Sequence, residues 1–296
     1  MALSNTVQTE DRYARALETL DGILSQLDLT DVSDDKDSVT LLMDPDKQPI
    51  NKRIFSHAKV QPPPTPGRWT IAVRVPVADH SSIKRLLDYV ACHHWLTLMP
   101  GICTRFPLRK PFLIASSGTL TGVSGSRPVE SFCFDHTSLL AVARNTLVFS
   151  PSNWFPIDRD GLPDALREEL SEPSAWWKAM GEAVSAFRHT RATIVPSTSL
   201  RVVYSDTGVP WKDSLGLHAW IHFKNGPDTQ EELVALKRRI WNQVELAQLG
   251  RKVKGQKGGT KFDAIFDPSN FSSERPIFDG KPYLIRRRPH PRSCFF

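Results

Sequence analysis

The segment Trp154-Phe155-Pro156-Ile157-Asp158-Arg159-Asp160-Gly161 carries two acids at i and i+2. Side chains along an extended strand alternate with a period of two, so Asp158 and Asp160 project from one face. A close carboxylate pair of that kind is suited to holding a divalent metal. The apolar approach before the pair and Gly161 after it put the acids at a strand end. Pro156 falls inside that strand, where a missing N–H is tolerated only at an edge or a bulge. Asp-x-Asp-Gly also suits an ordinary turn, in which Asp and Gly are favoured for backbone reasons, and taken by itself the motif favours the turn.

Two later blocks change that balance. Pro196-Ser197-Thr198-Ser199 precedes a strand pattern, Gly216-Leu217-His218-Ala219-Trp220-Ile221-His222-Phe223, and Lys261-Phe262-Asp263-Ala264-Ile265-Phe266-Asp267 follows. An acid pair, a Ser-rich turn with a strand histidine, and an isolated acid after an aromatic residue stand in the order of the three motifs of archaeo-eukaryotic primases. The chain resembles that superfamily, its phage, viral and plasmid members most, over roughly residues 147–284. The resemblance implies that Asp158, Asp160 and Asp263 hold metal, and that His218 contacts the phosphates of an incoming nucleotide with Ser197 and Ser199 beside it. Arg159 departs from the pattern, standing where an apolar residue is more usual.

The chemistry is coherent without the family. In phosphoryl transfer, two metal ions about 3.5–4 Å apart stabilise both the attacking and the leaving oxygen. Mg²⁺ is a hard cation that takes oxygen ligands, so Asp fits its first shell and His does not, which assigns His218 to phosphate. Along their strand His218, Trp220 and His222 share one face, toward a cleft, while Ala219, Ile221 and Phe223 share the other, toward a core. A strand histidine is otherwise most often a satisfied residue of core or surface, which is the simplest account of His222.

The chain has 296 residues, 40% apolar and 24% charged, with formal net charge +6. That composition is an ordinary globule's, with length for one large or two modest domains. No run of ~18 apolar residues occurs, which argues against a membrane helix. Met1-Ala2-Leu3-Ser4-Asn5-Thr6 lacks the charged start and apolar stretch of a secretory signal. Four irregularly spaced cysteines fit reduced thiols of a cytoplasmic protein, and Cys92-His93-His94 with Cys103 matches no established zinc spacing. Basic residues concentrate late: Lys237, Arg238 and Arg239, then Arg251, Lys252, Lys254 and Lys257, then Arg286, Arg287 and Arg288. Such clusters suit a nucleic-acid backbone, a solvated face being the plain alternative.

Helices and strands intermix. Tyr13, Leu17, Leu20, Leu24 and Leu27 recur at helical spacing, and the polar residues 31–47 read as a loop. Ile71, Val73 and Val75 alternate as a strand; Ser82 reads as the cap of a helix carrying Ile83, Leu86, Leu87 and Val90; residues 112–115 read as another strand. Pro163 suits the start of a short helix that Pro173 ends or restarts, and Trp176, Met180, Val184 and Phe187 form a further stripe. Strands are expected at 192–195 and 201–204. Thr229 and Glu232 make a capping box for a helix with Leu233, Leu236, Ile240, Val244 and Ala247 inward, stopped by Gly250 and followed by a mobile loop over 251–260. The glycines of Gly250–Lys257 lack the Gly-Lys-Ser/Thr ending of a P-loop, which excludes a nucleotide motor there.

These readings give an α+β chain: a helical extension with an acidic loop at 1–48, then a primase-like catalytic domain of mixed and antiparallel sheets flanked by helices at 49–296. The implied activity is synthesis of short primers from nucleoside triphosphates on a single-stranded DNA template with Mg²⁺ or Mn²⁺. Lys237, Arg238, Arg239, Arg286, Arg287 and Arg288 would bind DNA, and a replicative helicase is a further implied partner. A non-catalytic replication initiator and a metal-dependent nuclease are the alternatives.

Overall fold

A computed structural model describes residues 2–48, 50, 53–55, 60–61, 69–116, 120, 131–133, 139–159, 162–197, 216–254, 260–268, 271–277 and 283–285. Among them are four α-helices: α1 (Ala2–Leu27), α2 (His80–Ala91), α3 (Pro173–Ala183) and α4 (Gln230–Leu246). The strands in chain order are β1 (Ser38–Met43), β2 (Arg53–Phe55), β3 (Val60–Gln61), β4 (Thr70–Pro76), β5 (Leu96–Met99), β6 (Gly101–Ile102), β7 (Pro111–Ala115) and β8 (Ser131–Cys133). They continue with β9 (Leu140–Ala143), β10 (Ser150–Pro151), β11 (Trp154–Arg159), β12 (Ala192–Pro196), β13 (Leu217–His222), β14 (Gly250–Lys254), β15 (Thr260–Ala264) and β16 (Tyr283–Ile285). The chain is mixed α+β, as its pattern predicts. No described helix is long and apolar enough to cross a membrane.

Two sheets dominate. The larger is mixed, in the order β5-β1-β4-β7-β9-β8, with β7 and β9 parallel and the other pairs antiparallel. The smaller is antiparallel, in the order β11-β13-β12. Its two faces supply two cores. Trp154, Trp220 and Val195 join the core built on the large sheet, while Phe155, Ile157, Leu217, Ala219 and Ile221 join a second core with α3 and α4. The small sheet is therefore the layer between two hydrophobic bodies, and the period-two alternation of its strands divides their side chains.

Residues 31–47 are not all loop. β1 lies between β4 and β5 and is buried along its whole length. The strand itself is mostly apolar, with Val39, Leu41, Leu42 and Met43, and the acidic residues on either side make the whole stretch read as polar. Ser38 Oγ donates to the Asp35 carbonyl (2.6 Å) and Thr40 Oγ1 to the Gly101 carbonyl (2.6 Å), so neither hydroxyl is lost to burial. The α1 residues Tyr13, Ala16, Leu20, Ile23 and Leu27 are buried in the same core, so α1 and β1, both within the first 48 residues, belong to the body of the large sheet.

Four local expectations need correction. The cap of α2 is Asp79, whose Oδ1 accepts from both Ser82 N–H (2.7 Å) and Ser82 Oγ (2.9 Å); Ser82 is a donor inside the first turn. In α4, Ala247 is the exposed C-cap, and Trp241 is buried with Leu233, Ile240 and Val244. The helix ends before Gly250, with Gln248 at φ 60°, and Gly250 opens β14. Of the expected mobile loop 251–260, residues 251–254 belong to β14 and Thr260 to β15, which pair with each other, and 255–259 lie outside the described residues. The capping residue Thr229 does accept from Glu232 N–H (3.1 Å), and Pro173 starts α3.

Candidate functional site

β11 is an edge strand, which explains how Pro156 is accommodated, and β13 is central. Their register sets Asp158 directly opposite His218, Pro156 opposite Trp220 and Trp154 opposite His222. On the other side of β13, Val195 is opposite His218 and Thr193 opposite Trp220. Side chains opposite one another share a face, so the acid of the first block and the histidine of the second are neighbours on the surface turned toward the large sheet. Asp158 is 4% exposed and His218 5%. Their Oδ1 and Nε2 atoms are 3.3 Å apart, which puts carboxylate and imidazole in close proximity without the geometry of a close charge-assisted hydrogen bond.

Ser197 continues the same face. Its N–H donates to the Gly216 carbonyl (3.0 Å), extending the β12–β13 pairing past Leu217, and it is buried. By alternation, Thr193, Val195 and Ser197 are coplanar with His218. Asp160, Ser199, residues 201–204 and Arg286, Arg287 and Arg288 lie outside the described residues.

Arg159 turns to the opposite face. Its guanidinium donates to the carbonyls of Leu170 (2.8 Å) and Ser171 (3.3 Å) and lies over the Trp176 ring at 5.1 Å. Burial pushes its pKa down to about 10, with Glu172 opposing the shift, so it remains a cation at neutral pH. An arginine is thus compatible with the apolar face because its stem packs and its head is satisfied. The contact ties the end of β11 to the segment that leads into α3.

The third block divides. Asp263 lies in β15 opposite Arg251, and Arg251 Nε is 3.1 Å from its Oδ2. It lines a cavity of about 920 Å³ with Leu162, Leu166, Arg167, Gln248 and Gly250. Asp267, by contrast, donates its N–H to the carbonyl of Asp158 (2.7 Å), along the outer edge of β11. Both acids follow an aromatic residue, and the backbone brings the second of them to the first block. Among the described residues no three His, Cys, Asp or Glu side chains group as metal ligands. Asp158 supplies the carboxylate oxygen a hard cation takes, and Asp160, its expected companion, is not among those residues.

His222, at the other end of β13, has a structural partner. Its Nε2 is 2.7 Å from Asp37 Oδ1, which also accepts from Asn153 Nδ2 (2.8 Å). Asn153 N–H donates to the Lys36 carbonyl (2.9 Å), and Lys36 Nζ donates to the carbonyls of Gly226 (2.9 Å) and Pro227 (3.0 Å) and to Asp228 Oδ1 (2.7 Å). His80 sits edge-on to Trp154 with its Nδ1 2.8 Å from Thr193 Oγ1, and burial lowers its pKa, with Arg191 and His222 adding to the shift. On α4, Lys237 is half-buried and Arg238 and Arg239 are exposed. No family model matches the chain, and no curated protein or solved structure matches it.

Proposed function

We propose that this chain is a DNA-dependent primase or polymerase with an archaeo-eukaryotic primase-like core, joining nucleoside triphosphates on a single-stranded template. The observation that carries the reading is the register of β11 on β13: Asp158 and His218, separated by a long stretch of sequence, face each other with Ser197 on the same surface. In this reading Asp158 and Asp160 hold Mg²⁺ or Mn²⁺, which when bound would stabilise charge on the attacking and leaving oxygens. His218, beside Asp158, and Ser197 with Ser199 position the triphosphate.

The third carboxylate is Asp263 by motif order. Asp267 competes for the role because its backbone reaches Asp158. Lys237, Arg238, Arg239 and the arginines 286–288 are proposed to hold the template backbone, whose affinity is electrostatic and sequence-independent. A replicative helicase would supply that template in unpaired form.

The deciding experiment uses labelled nucleotides and an unprimed circular single strand with either metal. New oligonucleotides support the proposal, and extension of a supplied primer alone retains a polymerase and discards the primase. Cleavage of the circle would identify a nuclease. Binding with neither reaction would identify an initiator module.

A further inference from the structure

The stretch Gly250–Ala264 holds five cations, Arg251, Lys252, Lys254, Lys257 and Lys261, against one acid, Asp263. Its ends pair as a two-stranded antiparallel ribbon, β14 on β15, that joins no other sheet among the described residues. The pairing sorts its charges. Asp263 stands opposite Arg251 and is 3.1 Å from it, so the ribbon's acid is neutralised on one face. Lys252 belongs to the other face, as does Lys254. Both are exposed and make no ion pair among the described residues, and the residues opposite them are Phe262 and Thr260, neither an acid. Lys36, Lys84 and Lys178, in contrast, each have an acid partner.

The base of the ribbon is fixed. A Cβ at Gly250 would lie 2.7 Å from Ala264 Cβ and 3.2 Å from Val244 Cγ1, so only glycine lets β14 cross β15 this close to α4. Beyond β15 the chain runs straight to the candidate site: Ile265 N–H donates to the Leu249 carbonyl (3.0 Å), and Asp267 N–H to that of Asp158 (2.7 Å).

We propose that this ribbon is the track along which single-stranded DNA approaches Asp158, with Lys252 and Lys254 on successive phosphates. The proposal deepens the polymerase reading and rests on it for the choice of an unpaired strand. Lysines interleaved with an aromatic position are also the composition that single strands use.

The test is fluorescence-anisotropy binding of a labelled oligothymidylate to the full chain across a salt series, with EDTA and no nucleotide. Each phosphate contact on a single strand contributes about −0.7 to the slope of log K against log salt. The double variant Lys252→Ala/Lys254→Ala is expected to be shallower by about 1.4. Lys252→Arg/Lys254→Arg should keep the parental slope, and so should the control Lys84→Ala/Lys178→Ala. Parallel lines for parent and alanine variant overturn the track. So does a duplex of equal length that binds as tightly and loses the same slope. Since no nucleotide is present, loss of slope in a chain that never incorporates nucleotides would discard the polymerase and keep a DNA-binding ribbon. Incorporation with an unchanged slope would discard the ribbon alone.

Discussion

Arg159→Met keeps an unbranched apolar stem in the second core and removes the guanidinium. Two carbonyl oxygens, of Leu170 and Ser171, then lose a charged donor. Leaving a buried acceptor unsatisfied costs about 1–3 kcal/mol, and the lost stacking on Trp176 adds roughly 0.5–2 kcal/mol. Against this stands relief from burying a cation, whose desolvation cost is several kcal/mol even after relaxation. The balance is a loss of about 2–3 kcal/mol, a large share of the ~5–15 kcal/mol typical of a folded domain. Urea unfolding followed by tryptophan emission measures it, because Trp176 loses its cation and its neighbouring carbonyls are freed. Arg159→Lys, which keeps a charge without the planar fork, should fall between parent and Met variant. The same substitution loosens the strand end that carries Asp158. If that acid works as proposed, kcat for nucleotide incorporation should fall about 10- to 100-fold with a smaller change in KM, as a misplaced reacting group would produce. A Met variant with the parental midpoint and unshifted emission would refute the idea that this guanidinium holds residues 162–171 against α3.

Ala at Asp158 or Asp160 should remove nearly all incorporation while the fold, read by circular dichroism, persists. Of Asp263→Ala and Asp267→Ala, the one that abolishes synthesis identifies the third acid, and undiminished synthesis by both would eliminate that role. His218→Ala should raise the nucleotide KM or lower kcat, whereas His222→Ala, which removes one of the two side chains bonded to Asp37 Oδ1 and leaves Asn153, should lower stability by about 1–3 kcal/mol and spare kcat; equal catalytic defects in the two folded variants would contradict this division. Asp79→Ala should cost about 1 kcal/mol near neutral pH through loss of the α2 cap. The Asp79 carboxyl is held below its ordinary pKa chiefly by the Ser82 N–H, so its contribution is present above the unfolded pKa and fades as pH falls through the lower folded value. A gap between parent and variant that stays constant into strong acid would rule out the carboxylate as the cap.

What the sequence made legible was mostly local. The Thr229 cap and the restart at Pro173 are written within a few residues, and both formed, although the Glu232 side chain of the expected box accepts from the Asp228 N–H rather than from that of Thr229. The division of β13 into Ala219 and Ile221 on one side and His218 and Trp220 on the other follows from strand alternation alone, and two cores received those faces. Trp220, however, is fully buried, because the face read as a cleft is largely a core against the large sheet. β1, mostly apolar over Ser38–Met43, was hidden by the acids that flank it, Asp34, Asp35 and Asp37 before and Asp44 and Asp46 after. The β14–β15 ribbon was hidden by lysine and glycine, since its pairing includes the cross-strand pair of Arg251 with Asp263 rather than apolar alternation. His222 meets Asp37 across 185 residues, and nothing in the spacing of either could announce the other.

That distant pair bears on the candidate site through β11 and β13. Asp158 and His218 are four residues along their strands from Trp154 and His222, roughly 14 Å at a rise of ~3.4 Å per residue. A slip of one residue in this pairing would exchange the two faces of β11 and turn Asp158 into the second core, beside Trp176 and Met180. Asn153, at the foot of β11, opposes the slip with every group it has. Its N–H reaches Lys36, its carbonyl accepts from Phe223 N–H (2.8 Å), its Nδ2 bridges Asp34 and Asp37, and its Oδ1 accepts from Gly226 N–H (3.3 Å). Strand β11 is an edge with β13 on one side only, and Pro156 donates no ladder bond, so pairing along the strand is a weak guarantee of register. The polar joint at its start, built from the acidic segment 34–37 and the end of β13, supplies the rest, and in doing so keeps the carboxylate of Asp158 facing the imidazole of His218.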